Sequence, residues 1–179
     1  MKPIFFPLVI MTSLAVCNSS FASPTDNAHF ATSLFLDSCA KNYGNNTATS
    51  QWAKSKLSRA KPSFEQAVLN GKTGEVWGVA GNYILVLSEG NSCAVWARVA
   101  DADTVNANVV KLVNKIARPG IVAKPFIDKI SDGIGGTYRQ YGFILQTPNS
   151  SSGMAILSTT SKSEAAEVQA RITLTPAKL

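Results

Sequence analysis

The sequence predicts an α+β fold: N-terminal helices packed on a mostly antiparallel sheet of about six or seven strands, with one further helix between two strand groups. Three observations predict it. Apolar residues recur at helical spacing before Gly71, and Val, Ile, Trp and Tyr dominate short runs after it. One amphipathic stretch, "DADTVNANVVKLVNKIARPG", divides the strand-rich region in two. Cys39 falls in the first helical segment and Cys93 in the third strand, so a bond between them would tie one layer to the other.

The chain opens with Met1-Lys2-Pro3 and an apolar run from Ile4 to Val16. One cation, a short apolar stretch and small residues behind it describe a secretory signal peptide. The run is too short for a spanning helix, which needs about 20 apolar residues. Ser20 and Ala22 occupy the small-residue positions, so cleavage is expected after Ala22. Residues 1–22 are then the leader, and 23–179 form one α+β domain with a helical part over 26–71 and a strand-rich part over 74–175. The alternative is lipid attachment at Cys17. Val16 stands against it, being branched where lipoprotein processing takes a small residue. On the cleaved reading the protein is periplasmic and Cys17 is discarded.

Cys39 and Cys93 then remain in an oxidising compartment, where two cysteines are expected to pair. Their bond would close a loop of about 55 residues, worth about 4 kcal/mol by chain entropy. Two buried free thiols are the alternative, since cysteine also packs as a small hydrophobe.

The elements follow in order. Phe30, Leu34 and Phe35 recur at helical spacing in "DNAHFATSLFLDSCAKN", with Cys39 four residues beyond Phe35 and Asp26 as the expected cap. "KNYGNN" breaks that helix. "TSQWAKSKLSRAK" reads as a second helix, capped by Thr49 or Ser50 and reaching Lys61. "PSFEQAVLNG" reads as a third, from Pro62 to a stop at Gly71. "GEVWGVAG", "NYILVLSEG" and "SCAVWARVA" read as a three-strand meander, turning at Gly81-Asn82 and Glu89-Gly90-Asn91. In the third strand Cys93, Val95, Ala97 and Val99 face one way, and Ala94, Trp96 and Arg98 the other. The first helix is therefore expected across the face that carries Cys93. Asp101 or Asp103 caps the dividing helix, whose stripe is Val105, Val109, Leu112 and Ile116. "IVAKPFIDKI", "TYRQYGFILQT" and "GMAILSTTS" read as three more strands, with Pro125 marking an edge or a bulge. "SEAAEVQA" reads as a short helix and "RITLT" as a last strand. The two hairpins "YILVLSEGNSCAVWARVADAD" and "YGFILQTPNSSSGMAILSTTSKS" resemble each other, either as an old duplication or because hairpins look alike.

Hydrophobic residues make up 45% of the chain, enough for a real core. The formal charge is +6, and it falls to +5 when Lys2 leaves with the leader. That balance favours anionic neighbours in the envelope and is too scattered for nucleic acid.

Candidate chemistry is sparse. The single histidine, His29, has no accompanying nucleophile motif and reads as an ordinary helix residue. One histidine and two cysteines fit no zinc pattern. A calcium loop starting at Asp101 fails because Leu112 stands where the bidentate Glu belongs. Glu75, Asp128 and Asp132 are the carboxylates to consider for a glycosidase-like pair, though their spacings are ordinary. "DGIGG", Asp132 to Gly136, lacks the Lys-Ser/Thr of a phosphate loop and reads as a hairpin turn or a flexible binding loop.

Binding has more candidates. Trp52, Lys56 and Arg59 sit at i, i+4 and i+7 and would share one helix face beside Lys54 and Lys61, an arrangement suited to an anionic headgroup or glycan. The plainer reading is a solvated face with Trp52 in the core. Trp77 and Trp96, with Tyr83 and Tyr138, would form an aromatic patch on the second face of the sheet or fill the core.

"FLDSC", "GKTGEVWGV" and "YILVLSEGNSCAVWARV" together resemble a family of small exported or lipid-anchored proteobacterial proteins with two mature cysteines, a G-x-V-W strand motif and no known activity. The resemblance implies a periplasmic address and the 39–93 disulfide, and it carries no catalytic residue across. These readings lead to one leading expectation: a soluble periplasmic binding or interaction protein without catalysis, an envelope-associated inhibitor, immunity or accessory factor whose partner is a protein or an envelope polymer. A carboxylate-dependent hydrolase acting on envelope material and a peripheral membrane-surface module are the alternatives. No cofactor or metal is expected.

Overall fold

A computed structural model describes residues 22–79 and 82–178; the leader to Phe21, Cys17 and the Gly81 turn position lie outside the described residues. The fold is α+β, with an eight-stranded sheet in the order β1-β2-β3-β4-β8-β7-β6-β5, antiparallel throughout. The strands are β1 (Ser58–Arg59), β2 (Gly74–Val79), β3 (Tyr83–Ser88), β4 (Ser92–Ala97), β5 (Val122–Gly133), β6 (Gly136–Gln146), β7 (Ser152–Ser161) and β8 (Ala170–Lys178). Seven of them are the expected ones. The last strand returns to pair with β4, so β4 and β8 join two meanders into one sheet.

Helix α1 (Pro24–Phe35) is capped by Ser23 rather than by Asp26. The two form a reciprocal capping box: Asp26 N donates to Ser23 Oγ (3.1 Å), while Ser23 N and Oγ donate to the Asp26 carboxylate (3.2 and 2.8 Å). The helix then widens into a π-turn over Leu36–Ala40, which carries Cys39. Cys39 and Cys93 are disulfide-bonded with a Cα separation of 5.5 Å, and both are fully buried.

Helix α2 (Asn46–Lys56) starts from Asn45, whose side chain accepts from Ala48 N (3.1 Å), so the cap lies upstream of Thr49 and Ser50. It ends five residues before Lys61. Helix α3 (Pro62–Leu69) is closed by Asn70 in the left-handed region (φ 47°) ahead of Gly71. Helix α4 (Ala102–Ile116) is capped by Asp101, which accepts from Thr104 N (2.8 Å). Residues 164–169 form turns and bends, not the expected short helix.

The helices divide between the two faces. α1, α2 and α4 cover the front, where Phe35, Ala53, Leu85, Val95, Val105, Val109, Ile156 and Ile172 build the main core. α3 covers the back of β2–β4 alone, through Leu69, Val76, Val86 and Ala94. Gly74 permits this: a Cβ there would stand 2.1 Å from Leu87 O and 3.0 Å from Leu69 Cδ2. Beneath α4 the buried Asn106 accepts from Ser158 Oγ (2.7 Å) and donates to Thr160 Oγ1 (3.0 Å), a polar pin that sets the helix on β7.

Removing the staple tests this packing. Cys39→Ala with Cys93→Ala is expected to lower the unfolding free energy by about 2 to 5 kcal/mol. The measurement is the urea midpoint of oxidised wild type against the double variant; equal midpoints would contradict it.

Candidate functional site

The structure separates residues that the sequence grouped. Arg59 lies beyond the end of α2, in β1, so it does not share a helix face with Trp52 and Lys56. Trp52 is half-buried against the main core, and Lys56 is exposed at the C-terminal end of α2. Trp77 and Trp96 lie on opposite faces. Trp77 pairs with Leu85 and Leu85 with Val95, which places Trp77 on the front at 4% exposure. Trp96 pairs with Ile84 and Arg171 on the back. Tyr83 belongs to the front, where its hydroxyl donates to Asn27 Oδ1 (2.5 Å) and its ring meets Phe30 at 4.6 Å. Trp77 and Tyr83 thus fill the core, the favoured reading, and with Trp96 on the other face the four aromatics form no single patch.

What the fold does assemble is a cluster at the β1–α3 edge. Arg59 holds Glu65 through two hydrogen bonds (2.6 and 2.9 Å), reaches Glu75 Oε1 at 3.1 Å, and lies 5.2 Å from the Trp77 ring centre. Glu65 also accepts from Val76 N (3.0 Å), and Glu75 from Trp77 Nε1 (3.1 Å). The Arg59 hydrogen bond holds the Glu65 carboxyl below its ordinary range. At Glu75 burial works upward, but hydrogen bonds from Ser50 and Trp77 and the Arg59 charge outweigh it, and the net shift is downward. Two carboxylates on one arginine make a pinned ion cluster and leave no proton-bearing acid for general-acid work.

The remaining acids are dispersed. Asp128 is paired with Arg139 (2.8 Å), which lowers its pKa, and Asp132 accepts from Thr137 Oγ1 (3.2 Å) in the β5–β6 turn. That turn packs closely: a Cβ on Gly135 (φ 88°) would stand 2.6 Å from Ala165 O. His29 receives Asn108 Nδ2 at 3.1 Å and stands exposed. Among the described residues no cluster of His, Cys, Asp and Glu is arranged to hold a metal, and no helix is long and apolar enough to cross a membrane.

Two concavities stand out. A cleft of about 410 Å³ runs beside α2, its lining including Ser50, Lys54, Glu75 and Glu89. A larger groove, about 910 Å³, opens on the back of the sheet. Phe64, Ala67 and Val68 of α3 form one wall and residues 164–169 the other, with Ile84 and Trp96 between them. The far wall has a physical reason to be irregular. Gln169 N donates to Arg98 O (3.1 Å), Gln169 Oε1 accepts from Ala100 N (3.1 Å), and Gln169 Nε2 donates to Ser163 O (3.2 Å). Those bonds hold an Ala- and Glu-rich stretch out of the helix it would otherwise favour. The Arg171 guanidinium lies over the Trp96 ring, 5.0 Å from its centre. Trp96 Nε1 is covered and has no acceptor among the described residues. Sequence spacing flagged Trp96 but not its groove, because both walls come from segments distant in the chain.

Comparison with protein families, with characterised proteins and with solved structures finds no match.

The Arg59 cluster makes stability depend on acid pH. Glu65 and Glu75 have depressed pKa values in the folded state, so their contribution is present above the ordinary carboxyl value of 4.5 and is lost as pH falls below it. Arg59→Met is expected to be less stable than wild type at pH 7 and to approach it near pH 3. Urea midpoints at both pH values check this; an equal deficit at both would contradict it.

Proposed function

We propose that this is an exported, non-catalytic binding protein that takes up its partner at the back-face groove. The observation that carries the reading is a contrast between groove and acids. The larger concavity sets Phe64, Val68 and Ile84 around an indole that lacks an acceptor, with Arg98, Glu164 and Glu167 also lining it, a mixed lining of the kind that takes a ligand. Every carboxyl group whose pKa clearly departs from its ordinary value, among the described residues, is shifted down. A glycoside hydrolase needs one shifted up.

Export is supported by three features. The Cys39–Cys93 bond belongs to an oxidising compartment. Ser23, the residue after the expected cleavage point, is the cap of α1. The resemblance to small exported proteins points the same way. A binding role as an inhibitor, immunity or accessory factor in the envelope fits these properties. A hydrolase centred on Glu75 is the second reading, favoured by a cleft that both Glu75 and Glu89 line.

Ala67 is exposed on the groove wall, so Ala67→Trp fills the groove without entering the core. Solubilised envelope fractions are expected to shift the Trp96 indole N–H resonance of the wild type while leaving Trp77 in place, and the variant should lose that shift. A Trp96 signal that never moves, or moves equally in Ala67→Trp, would overturn the groove reading. Release of cell-wall fragments that disappears in Glu75→Gln would favour the hydrolase.

A further inference from the structure

We propose that the uncovered half of the sheet's back face is a docking surface for a linear anionic polysaccharide; the proposal rests on the binding reading above and names the class of partner. α3 stops over β2–β4. Beyond it the register lines up a row of side chains across five strands: Trp96, Arg171, Thr159, Gln140 and Lys129. Paired residues of an antiparallel sheet share a face, so the whole row points to the back. The next row on this face is Thr173, Leu157, Gly142 and Ile127, and beyond it comes Thr175, Ala155, Ile144 and Lys124.

Charge is sorted between the faces. None of these rows contains a carboxylate. Asp128 pairs with Tyr141, whose register partner Ser158 bonds α4 on the front, and there Asp128 neutralises Arg139. On the back Lys124, Lys129 and Arg171 are exposed and form no ion pair among the described residues. The nearby acids Glu164 and Glu167 belong to the outer wall of the groove, off these rows. The surface is thus a strip of unneutralised cations, and Arg171 on β8 and Lys129 on β5 stand three strand spacings, about 14 Å, apart. An extended polyanion matches that geometry, and a single small anion does not span it.

The surface between the charges selects among polyanions. Thr159 and Gln140 offer a hydroxyl and an amide to a hydroxyl-rich chain. An aromatic ring lies near each end. Trp96 sits under Arg171, and Phe126 lies against Gly142, where a Cβ would stand 2.7 Å from its Cε1. The Trp96 face is already taken by Arg171, so the exposed Phe126 is the ring that can meet the C–H face of a sugar. An extended peptide would instead seek unpaired backbone groups, which a sheet presents at its edge and not on its face.

The test uses dextran sulfate, with dextran, poly-glutamate and phosphatidylglycerol vesicles as the other arms. Dextran sulfate is expected to bind, more weakly as salt rises, and dextran is not. Lys129→Gln with Arg171→Gln should weaken binding about tenfold, the loss of two exposed charge contacts. Lys124→Gln with Lys129→Gln, both on an exposed edge strand, should weaken it similarly if Arg171 proves needed for folding. Lys54→Gln with Lys56→Gln removes the same charge from α2 and should leave binding unchanged. Equal loss in the α2 variant would overturn the proposal as mere net-charge attraction. So would no binding of dextran sulfate, or tighter binding of poly-glutamate or vesicles. If dextran sulfate fails while the Trp96 resonance still answers to envelope fractions, this proposal falls and the groove reading stands.

Discussion

The bond between Cys39 and Cys93 fixes where every other surface of this protein points. It pins the π-turn that closes α1 to β4, and so defines the face of β4 that carries Cys93 as the front. Side chains alternate along a strand, so Trp96, three residues on, must face the back. The ladder from β4 to β8 carries the same alternation into the second meander. Arg171 then stands beside Trp96, and Lys129 ends the row on the far edge. One covalent constraint and one period place both the core and the exposed strip.

Helix supply explains the asymmetry of the two faces. Three helices cover the front, and Asp101 N donates to Pro24 O (2.9 Å), tying the start of α4 to the start of α1. On the back α3 is eight residues long and spans only the first strands. The uncovered remainder mixes polar and apolar side chains. Thr159, Gln140 and the cations flank the half-buried Leu157, Ile127 and Ile144, while Pro125, the bulge beside it and Lys124 and Lys129 blunt the edge strand β5 against chance pairing. Such a face is soluble by itself and still has charge to offer.

The sequence exposed those parts of the fold that depend on local pattern. The seven longer strands, the stripe of α4 and its cap at Asp101 or Asp103 follow from spacing within one segment; the cysteine pair followed instead from the expected oxidising compartment. The two missed caps, Ser23 and Asn45, are local, but the larger misses come from bonds to distant residues. Nothing local ends α2 at Lys56, since Leu57, Ser58 and Arg59 tolerate a helix; the Arg59 guanidinium is drawn away by Glu65 and Glu75. Residues 164–169 have helix-forming composition but are held open through Gln169. Alternation from Cys93 already set the face of Trp96, whereas the face of Trp77 depends on a register set across two hairpins. Asn106 carried a signal that spacing alone could have raised: a polar residue inside the apolar stripe of α4, buried because two β7 hydroxyls meet it.

The staple can be read directly. Protein purified from an oxidising compartment, denatured and digested without reductant, should yield by mass spectrometry a single cross-linked peptide pair joining the segment of Cys39 to that of Cys93. Two free thiols in the denatured, unreduced chain would contradict the account and remove the reason for Trp96 and the cationic strip to share the open face.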